Sequence, residues 1–298
     1  MSERDLDGLC AIVTGAGKGL GRAYALELAR RGAAVLVNNR RHPGEADADT
    51  SAGQTVAAIR TAGGRAEANW DDVCDPASGE RMLAQALACF GRVDIAVANA
   101  GVAAAAAFHK TTLPEFHRVF DASFFGNLHL SHAVWPHFRA QKRGVLTLTA
   151  SSAGLYGVHG MAAYAAAKAA VIGLMRTLAI EAGNQGVRVN VVAPYGYSQM
   201  TAPWMDEDLA RRFDPARVAP LIAALARPDC RVHGEVLLCG GGVLRRAQVG
   251  ENRGVAFANT GLDESVAVLR DNALESFGDA NAEFVALLAD AKRLMPPG

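Results

Sequence analysis

A short β-branched run, Cys10 to Thr14 (CAIVT), leads without a spacer into Thr14-Gly15-Ala16-Gly17-Lys18-Gly19-Leu20-Gly21, and that turn opens an alanine-rich helical pattern, Leu20 to Arg31. Few folds tolerate this order. The chain must turn sharply, the helix must pack close to the strand it has left, and the backbone must let a ligand approach; each demand asks for glycine. The start of the helix also offers free N–H groups and the positive end of a dipole, which suit phosphate. The expected occupant is the pyrophosphate of a dinucleotide, held by Gly15, Gly17, Lys18, Gly19, Leu20 and Gly21.

The same alternation continues down the chain. Apolar runs at Ala34–Asn38, Ala66–Asn69, Asp94–Ala98, Gly144–Thr149 and Val187–Val192 read as strands, with a seventh at Glu235–Leu238. Helical patterns at Ser51–Ala62, Pro76–Phe90, Phe116–Lys142 (interrupted by Pro136) and Met161–Ala182 lie between them. Strand and helix in alternation, with strands that are continuously apolar, imply a parallel sheet covered on both faces. The fold class is therefore α/β, a doubly wound Rossmann-type sheet over residues 5–245. Residues 246–298 form a helical C-terminal extension, with helical spacing at Asp263–Leu274 and Ala280–Met295.

Composition narrows the function. Thirty Lys plus Arg balance thirty Asp plus Glu among 298 residues, so no net field draws the chain to nucleic acid or an anionic membrane. The N-terminus is charged and is not read as a secretory signal, and no segment is read as reaching the roughly 18–20 apolar residues of a membrane span. The five cysteines are scattered, with no C-x-x-C pair, which implies reduced thiols and a cytoplasmic location. His129, His132 and His137 have no acidic or cysteine partner at metal spacing, so no metal is expected.

Tyr164 and Lys168 stand four apart in an alanine-rich helix, on one face. A tyrosine with a pKa near 10 is a poor base at neutral pH, but a cation within about 4–6 Å favours the phenolate. Lys168 supplies such a cation. Tyr164 could then pass a proton to or from a carbonyl oxygen, with Ser151, after the fifth strand, holding that oxygen. Taken alone, Tyr164 and Lys168 read as a half-buried aromatic and a solvated charge; the company of Ser151, Asn99 and the glycine turn favours chemistry.

The form T-G-x-x-x-G-x-G, Asn99-Ala100-Gly101 after the fourth strand, Ser151 with Tyr164-x-x-x-Lys168, and Asn190 and Pro194 together resemble the short-chain dehydrogenase/reductase family. The resemblance implies an NAD(P)-dependent oxidoreductase interconverting a ketone and a secondary alcohol, with Tyr164 as general acid/base. It also implies a homodimer or homotetramer built through helices 116–142 and 161–182. Asp72 and Val73 match the family's adenine-contacting pair, and Asn99, Ala100, Gly101, Tyr164, Lys168 and Pro194 its remaining cofactor contacts. Ser123 stands where the family carries an asparagine that holds a relay water; Asn127, beyond the glycine, is read as facing elsewhere.

The second strand ends in Asn38-Asn39-Arg40-Arg41, without the acid that selects NAD, and guanidinium groups suit a 2′-phosphate. NADP is favoured, with NAD the alternative, and Asn39, Arg40 and Arg41 are the expected determinants. Gly19–Ala25, Ala133–Phe138, Gly154–Gly160 and Ala193–Thr201 are similar to the (3R)-hydroxyacyl-CoA dehydrogenase domain of multifunctional β-oxidation enzymes, a group that includes 17β-hydroxysteroid dehydrogenases. A 3-ketoacyl-CoA or a steroid-like hydrophobic ketone is the substrate this implies. Met200, Trp204 and Met205 are read either as apolar substrate anchors or as packing residues, and His159 as solvent-facing or near the pocket. The alternatives are a cofactor-retaining epimerase or dehydratase, or a non-catalytic NADP-binding regulator.

Overall fold

The computed structural model describes residues 4–198, 201–202, 205–256 and 261–294. The chain divides into two compact units, the first ending at Arg246 and the second beginning at Ala247. The first unit is an eight-stranded sheet in the order β3-β2-β1-β4-β5-β6-β7-β8. Its strands are β1 (Cys10–Val13), β2 (Ala34–Asn38), β3 (Ala66–Asn69), β4 (Ile95–Ala98), β5 (Gly144–Thr149), β6 (Val187–Pro194), β7 (Val236–Gly240) and β8 (Val243–Ala247). Every ladder from β3 to β7 is parallel. β8, absent from the sequence reading, follows β7 through Gly241 and Gly242, both at positive φ. Its outward, exposed side chains carry no apolar run to betray it.

β1, β4 and β5 are buried along their whole length because helices cover both faces. The described helices of this unit include α1 (Gly19–Arg30), α2 (Ser51–Thr61), α3 (Ser78–Phe90), α4 (Leu113–Phe120), α5 (Gly126–Ala140), α6 (Ala153–Tyr156), α7 (Ala162–Ala182), α8 (Glu207–Arg212) and α9 (Ala219–Ala226). Two expectations need correction. Pro136 does not interrupt its helix: α5 runs through it. Pro136 and His132, whose carbonyl loses its N–H partner, are both exposed, so water can take that carbonyl. The α7 helix is also long and apolar enough to span a bilayer by length and composition. It is a covering helix of the sheet: it packs on β5 and β6, burying Ala167, Val171, Met175 and Lys168.

Asp94 ties the lower edge of the sheet together. Its buried carboxylate accepts from Cys10 N at 3.0 Å and takes both Arg92 donors, at 2.7 and 2.8 Å, with Arg143 at 3.0 Å. Asp94→Ala is expected to destabilise the fold by about 2–4 kcal/mol, below the full cost of breaking a buried pair because both arginines reach solvent. Urea unfolding would read this as a lower midpoint with an unchanged slope.

The second unit has α10 (Leu262–Asp271), α11 (Ala280–Leu294) and a small antiparallel pair, β9 (Glu251–Asn252) with β10 (Leu274–Glu275). The helical reading of this stretch missed that pair. Asp290 of α11 accepts from Gly254 N at 2.5 Å, and Arg293 donates to Gly254 O at 3.1 Å.

Candidate active site

The strand order reverses direction between β1 and β4, and there the carboxyl ends of the strands open a crevice. A cleft of about 1320 Å³ runs along it, lined by residues after β1, β2, β4, β5 and β6. Thr14, buried just after β1, links the glycine turn to the loop after β4. Its hydroxyl accepts from Asn99 N at 2.9 Å and Ala100 N at 3.1 Å, while Asn99 Nδ2 returns to Thr14 O at 2.9 Å. Asn99, expected as a cofactor contact, thus also clamps the glycine turn to the loop after β4.

The glycines of the turn have different reasons. Gly15 and Gly19 have φ of +64° and +54°, where a side chain would be strained. A Cβ on Gly21 would run into Gly15 O and lie 2.5 Å from Asn99 Nδ2, so its absence lets α1 close on the turn. Gly17, expected at the phosphate, instead packs on Ser51 and Asn39 and does not line the cleft. The first N–H groups of α1 have no side-chain cap, and beside Gly19 the nearest contact to an added Cβ is Ser198, at 3.5 Å. These uncapped N–H groups at the start of α1 are of the kind that suits a pyrophosphate.

At the end of β2, Asn39 Nδ2 donates to Ser51 Oγ at 2.9 Å. Lys18, Asn39, Arg40 and His42 line the cleft; Arg41 does not. Arg41 pairs with Asp47 and lies over the Trp70 ring at 4.3 Å, so it is committed away from the position expected for it. Arg40 is 3.9 Å from Asp72, whose other oxygen accepts from Cys74 N at 2.9 Å. Val73 is seated on Gly126, and its carbonyl meets His129 Nδ1 at 2.9 Å.

Tyr164 and Lys168 lie one turn apart on α7, and both line the cleft. A Cβ on Gly154 would lie 2.6 Å from the Lys168 carbonyl carbon, so that glycine lets α6 sit on α7 and brings Ser151 beside Tyr164. Burial raises the Tyr164 phenol above its ordinary value, and a hydrogen bond with Ser151 opposes the rise. Lys168 is fully buried; burial pushes its ammonium down to about 7. Its Nζ donates to Thr149 O at 2.7 Å and lies 5.7 Å from the centroid of the Tyr164 ring. The expectation that the ammonium makes this phenol acidic is therefore not met: burial is the largest influence on both groups, raising the phenol and lowering the ammonium. Thr149, unmarked in the sequence reading, is the acceptor that orients Lys168; its place at the end of a strand, two residues before Ser151, was the available signal.

Ser123 lies behind the cleft, in a π-helical turn, Asp121–Phe125, that joins α4 to α5. Its hydroxyl accepts from Val102 N at 2.9 Å and donates to Val102 O at 2.7 Å. Asn127 does not face elsewhere. Residues four apart share a helical face, and its Nδ2 donates to Ser123 O at 3.0 Å. Pro194 lines the cleft, and Tyr195 fits because Gly240 lacks the Cβ it would meet at 2.5 Å. His159 is exposed. Met200 and Trp204 lie outside the described residues, and Met205 is partly buried without lining the cleft.

Comparison with known proteins agrees with this arrangement. A family profile described as short chain dehydrogenase matches residues 9–208. A short-chain type dehydrogenase/reductase of Mycobacterium tuberculosis is 37% identical, over 83% of this chain and 87% of that protein. The peroxisomal multifunctional enzyme type 2 of Mus musculus is 35% identical over 89% of this chain, which spans 36% of that longer protein. Among solved structures, a 7α-hydroxysteroid dehydrogenase complexed with NADH and 7-oxo glycochenodeoxycholic acid superimposes with a TM-score of 0.72 and 30% identity, over 81% of this chain and 98% of that one.

Proposed function

The chain belongs to the short-chain dehydrogenase family and is an oxidoreductase, and from that premise we propose that it reduces a hydrophobic ketone to a secondary alcohol, or the reverse, with NADP as the preferred partner. The observation that carries the proposal is that Tyr164, hydrogen-bonded to Ser151, and Lys168 line the same cleft as Gly15, Gly19 and Gly21 of the glycine turn. A bound nicotinamide dinucleotide would supply or accept the hydride. Ser151 Oγ and the Tyr164 hydroxyl then hold the substrate oxygen, and Tyr164 gives up its proton as negative charge develops there. Because burial keeps the phenol protonated at neutral pH, Tyr164 is ready as an acid for reduction, while oxidation gains rate as the pH rises. Lys168 holds a proton within reach of the same site.

Val102, Ala103, Ala105, Met161 and Tyr197 give the substrate end of the cleft an apolar wall, which supports a steroid-like or 3-ketoacyl thioester substrate. We further propose a homo-oligomer through α5 and α7, where Phe125, at the junction of the π turn with α5, and Ile180 are exposed, and a reducing, cytoplasmic setting for the five free thiols.

The test is a screen of NADPH and NADH oxidation against acyl-CoA, steroid and small aryl ketones. Oxidation with one class of ketone supports the proposal; a need for cofactor without net oxidation points to an epimerase or dehydratase; binding with no turnover of any kind overturns it. Arg40→Ala is expected to raise KM for NADPH by about tenfold and leave NADH unaffected, the loss of roughly one charge-assisted contact. Arg41→Ala should change neither. Equal use of the two cofactors by the parent enzyme would remove the NADP preference.

A further inference from the structure

The Ser123 hydroxyl has no proton left to donate elsewhere, because it gives its one proton to Val102 O while accepting from Val102 N. Its carbonyl belongs to a π-helical turn, where bonding from i to i+5 replaces the usual i to i+4 pattern and disturbs the ladder. The side chain of Asn127 meets that carbonyl at 3.0 Å and extends the same amide nitrogen toward Ala100 O at 3.5 Å. The stretch between, Ala100 to Val102, is all that separates Ser123 from the buried lysine: a Cβ on Gly101 would lie 3.2 Å from Ser123 Oγ and 3.4 Å from Lys168 Nζ. Asn127 is 1% exposed, and its Oδ1 is buried with no hydrogen-bond partner among the described residues. A buried amide oxygen in a polar setting is commonly met by an internal water. Lys168 has three N–H bonds and, among the described residues, one hydrogen-bond acceptor, Thr149 O.

We propose that Asn127, one helical turn beyond the position where the family carries its asparagine, is the positioning residue of the proton relay: its amide nitrogen fixes the Ser123 carbonyl, and its Oδ1 anchors a buried water that resupplies Lys168. The proposal rests on the oxidoreductase reading. In reduction, the Tyr164 O–H bond breaks as its proton forms the new O–H bond of the alcohol. The phenolate is reprotonated by way of the Lys168 ammonium, and the amine takes a proton from the water, which draws its own from solvent. No electrons pass through the relay.

The charges around Lys168 make a pH readout interpretable. On its own helix it faces Tyr164. Of the elements packed on α7, β5 and α6 carry no charged side chain. β6 carries Arg188, bonded to the carbonyls of Leu225 and Arg227. Glu115, His117 and Arg118 of α4 and Asp121 of the π turn are exposed.

The experiment measures kcat, KM and their pH profiles, with thermal melting, for Asn127→Leu, Asn127→Asp and the exchange Ser123→Asn/Asn127→Ser. Leucine should lower kcat by roughly tenfold or more with KM for ketone and cofactor unchanged. Aspartate keeps an acceptor and adds charge, so it should move the limb governed by Lys168 to higher pH by about one unit. The exchange should recover most of kcat. An Asn127→Leu variant that melts lower but keeps the parent kcat and pH profile would reduce Asn127 to packing and overturn the relay. Should that variant fail to fold, an unmoved profile in Asn127→Asp overturns it equally. A parent protein that turns over no ketone would sink the oxidoreductase reading and the relay together; normal parent turnover with inert Asn127 variants sinks the relay alone.

Discussion

Tyr164→Phe is expected to cut turnover by at least about 10³-fold while NADPH affinity stays within about twofold of the parent. The size follows from what is removed. General acid catalysis contributes roughly 10²–10⁴-fold, and the phenol is the acid that lines the cleft beside Ser151. Phenylalanine keeps the ring and its packing, so the glycine turn that lines the same cleft is untouched. Ser151 keeps its bond from Ala153 N at 3.2 Å and can still hold a substrate oxygen. Single-turnover oxidation of bound NADPH, set beside a fluorescence titration of the cofactor, separates chemistry from binding. A variant with parental turnover would show that the proton comes from elsewhere.

Lys168→Met should lose about 10²–10³-fold near pH 7, with a pH profile that names the cause. With cofactor and substrate in place, a cation beside the phenol favours its ionised form by roughly 1–3 pKa units. Removing it moves the phenol up by that amount, so oxidation should recover as the pH is raised and reduction should not. Stability supplies an independent check. The buried lysine titrates near 7 in the folded protein and at its ordinary 10.5 when unfolded. Between those values the unfolded chain binds more protons, so stability rises with pH from about 7 to about 10.5, by an amount on the order of a few kcal/mol. Below about 7 both states are charged and the whole cost of burying the ammonium is felt. Methionine abolishes that slope and should make the empty protein more resistant to urea at pH 6 than the parent. Retention of the slope in Lys168→Met would mean that another group causes it.

Sequence periodicity located the sheet well because its strands are buried on both faces and hence apolar without interruption, as in Cys10–Val13 and Ile95–Ala98. It failed where burial and pattern part company. The exposed β8 has polar and apolar residues facing solvent alike, and Pro136 sits in a helix because its side faces water. At the site, the spacing of Ser151, Tyr164 and Lys168 indicated which side chains would meet, since four residues on a helix and a strand end are local geometry. Spacing said little about electrostatics. Whether Lys168 governs Tyr164, or burial governs both, depends on how much water the surrounding chain excludes. The placements of Gly17, Arg41 and Asn127 were not legible in the sequence, because each depends on a partner distant in sequence or on a helical turn of unusual width. Ser51, Trp70 and the Ser123 carbonyl are those partners.

The wide turn at Asp121–Phe125 also sets a phase. An α-helix advances about 100° per residue, and a π turn holds one residue more than the same arc of regular helix. Deleting a single residue there would rotate everything downstream by about that angle relative to α4. Leu130, Val134 and Phe138, now fully buried, would swing toward solvent, while their charged and polar neighbours turned toward the sheet. The bulge is thus a rotational spacer: it lets Val119 before it and Phe138 after it answer to the same core, so the fold depends on the number of residues in the turn.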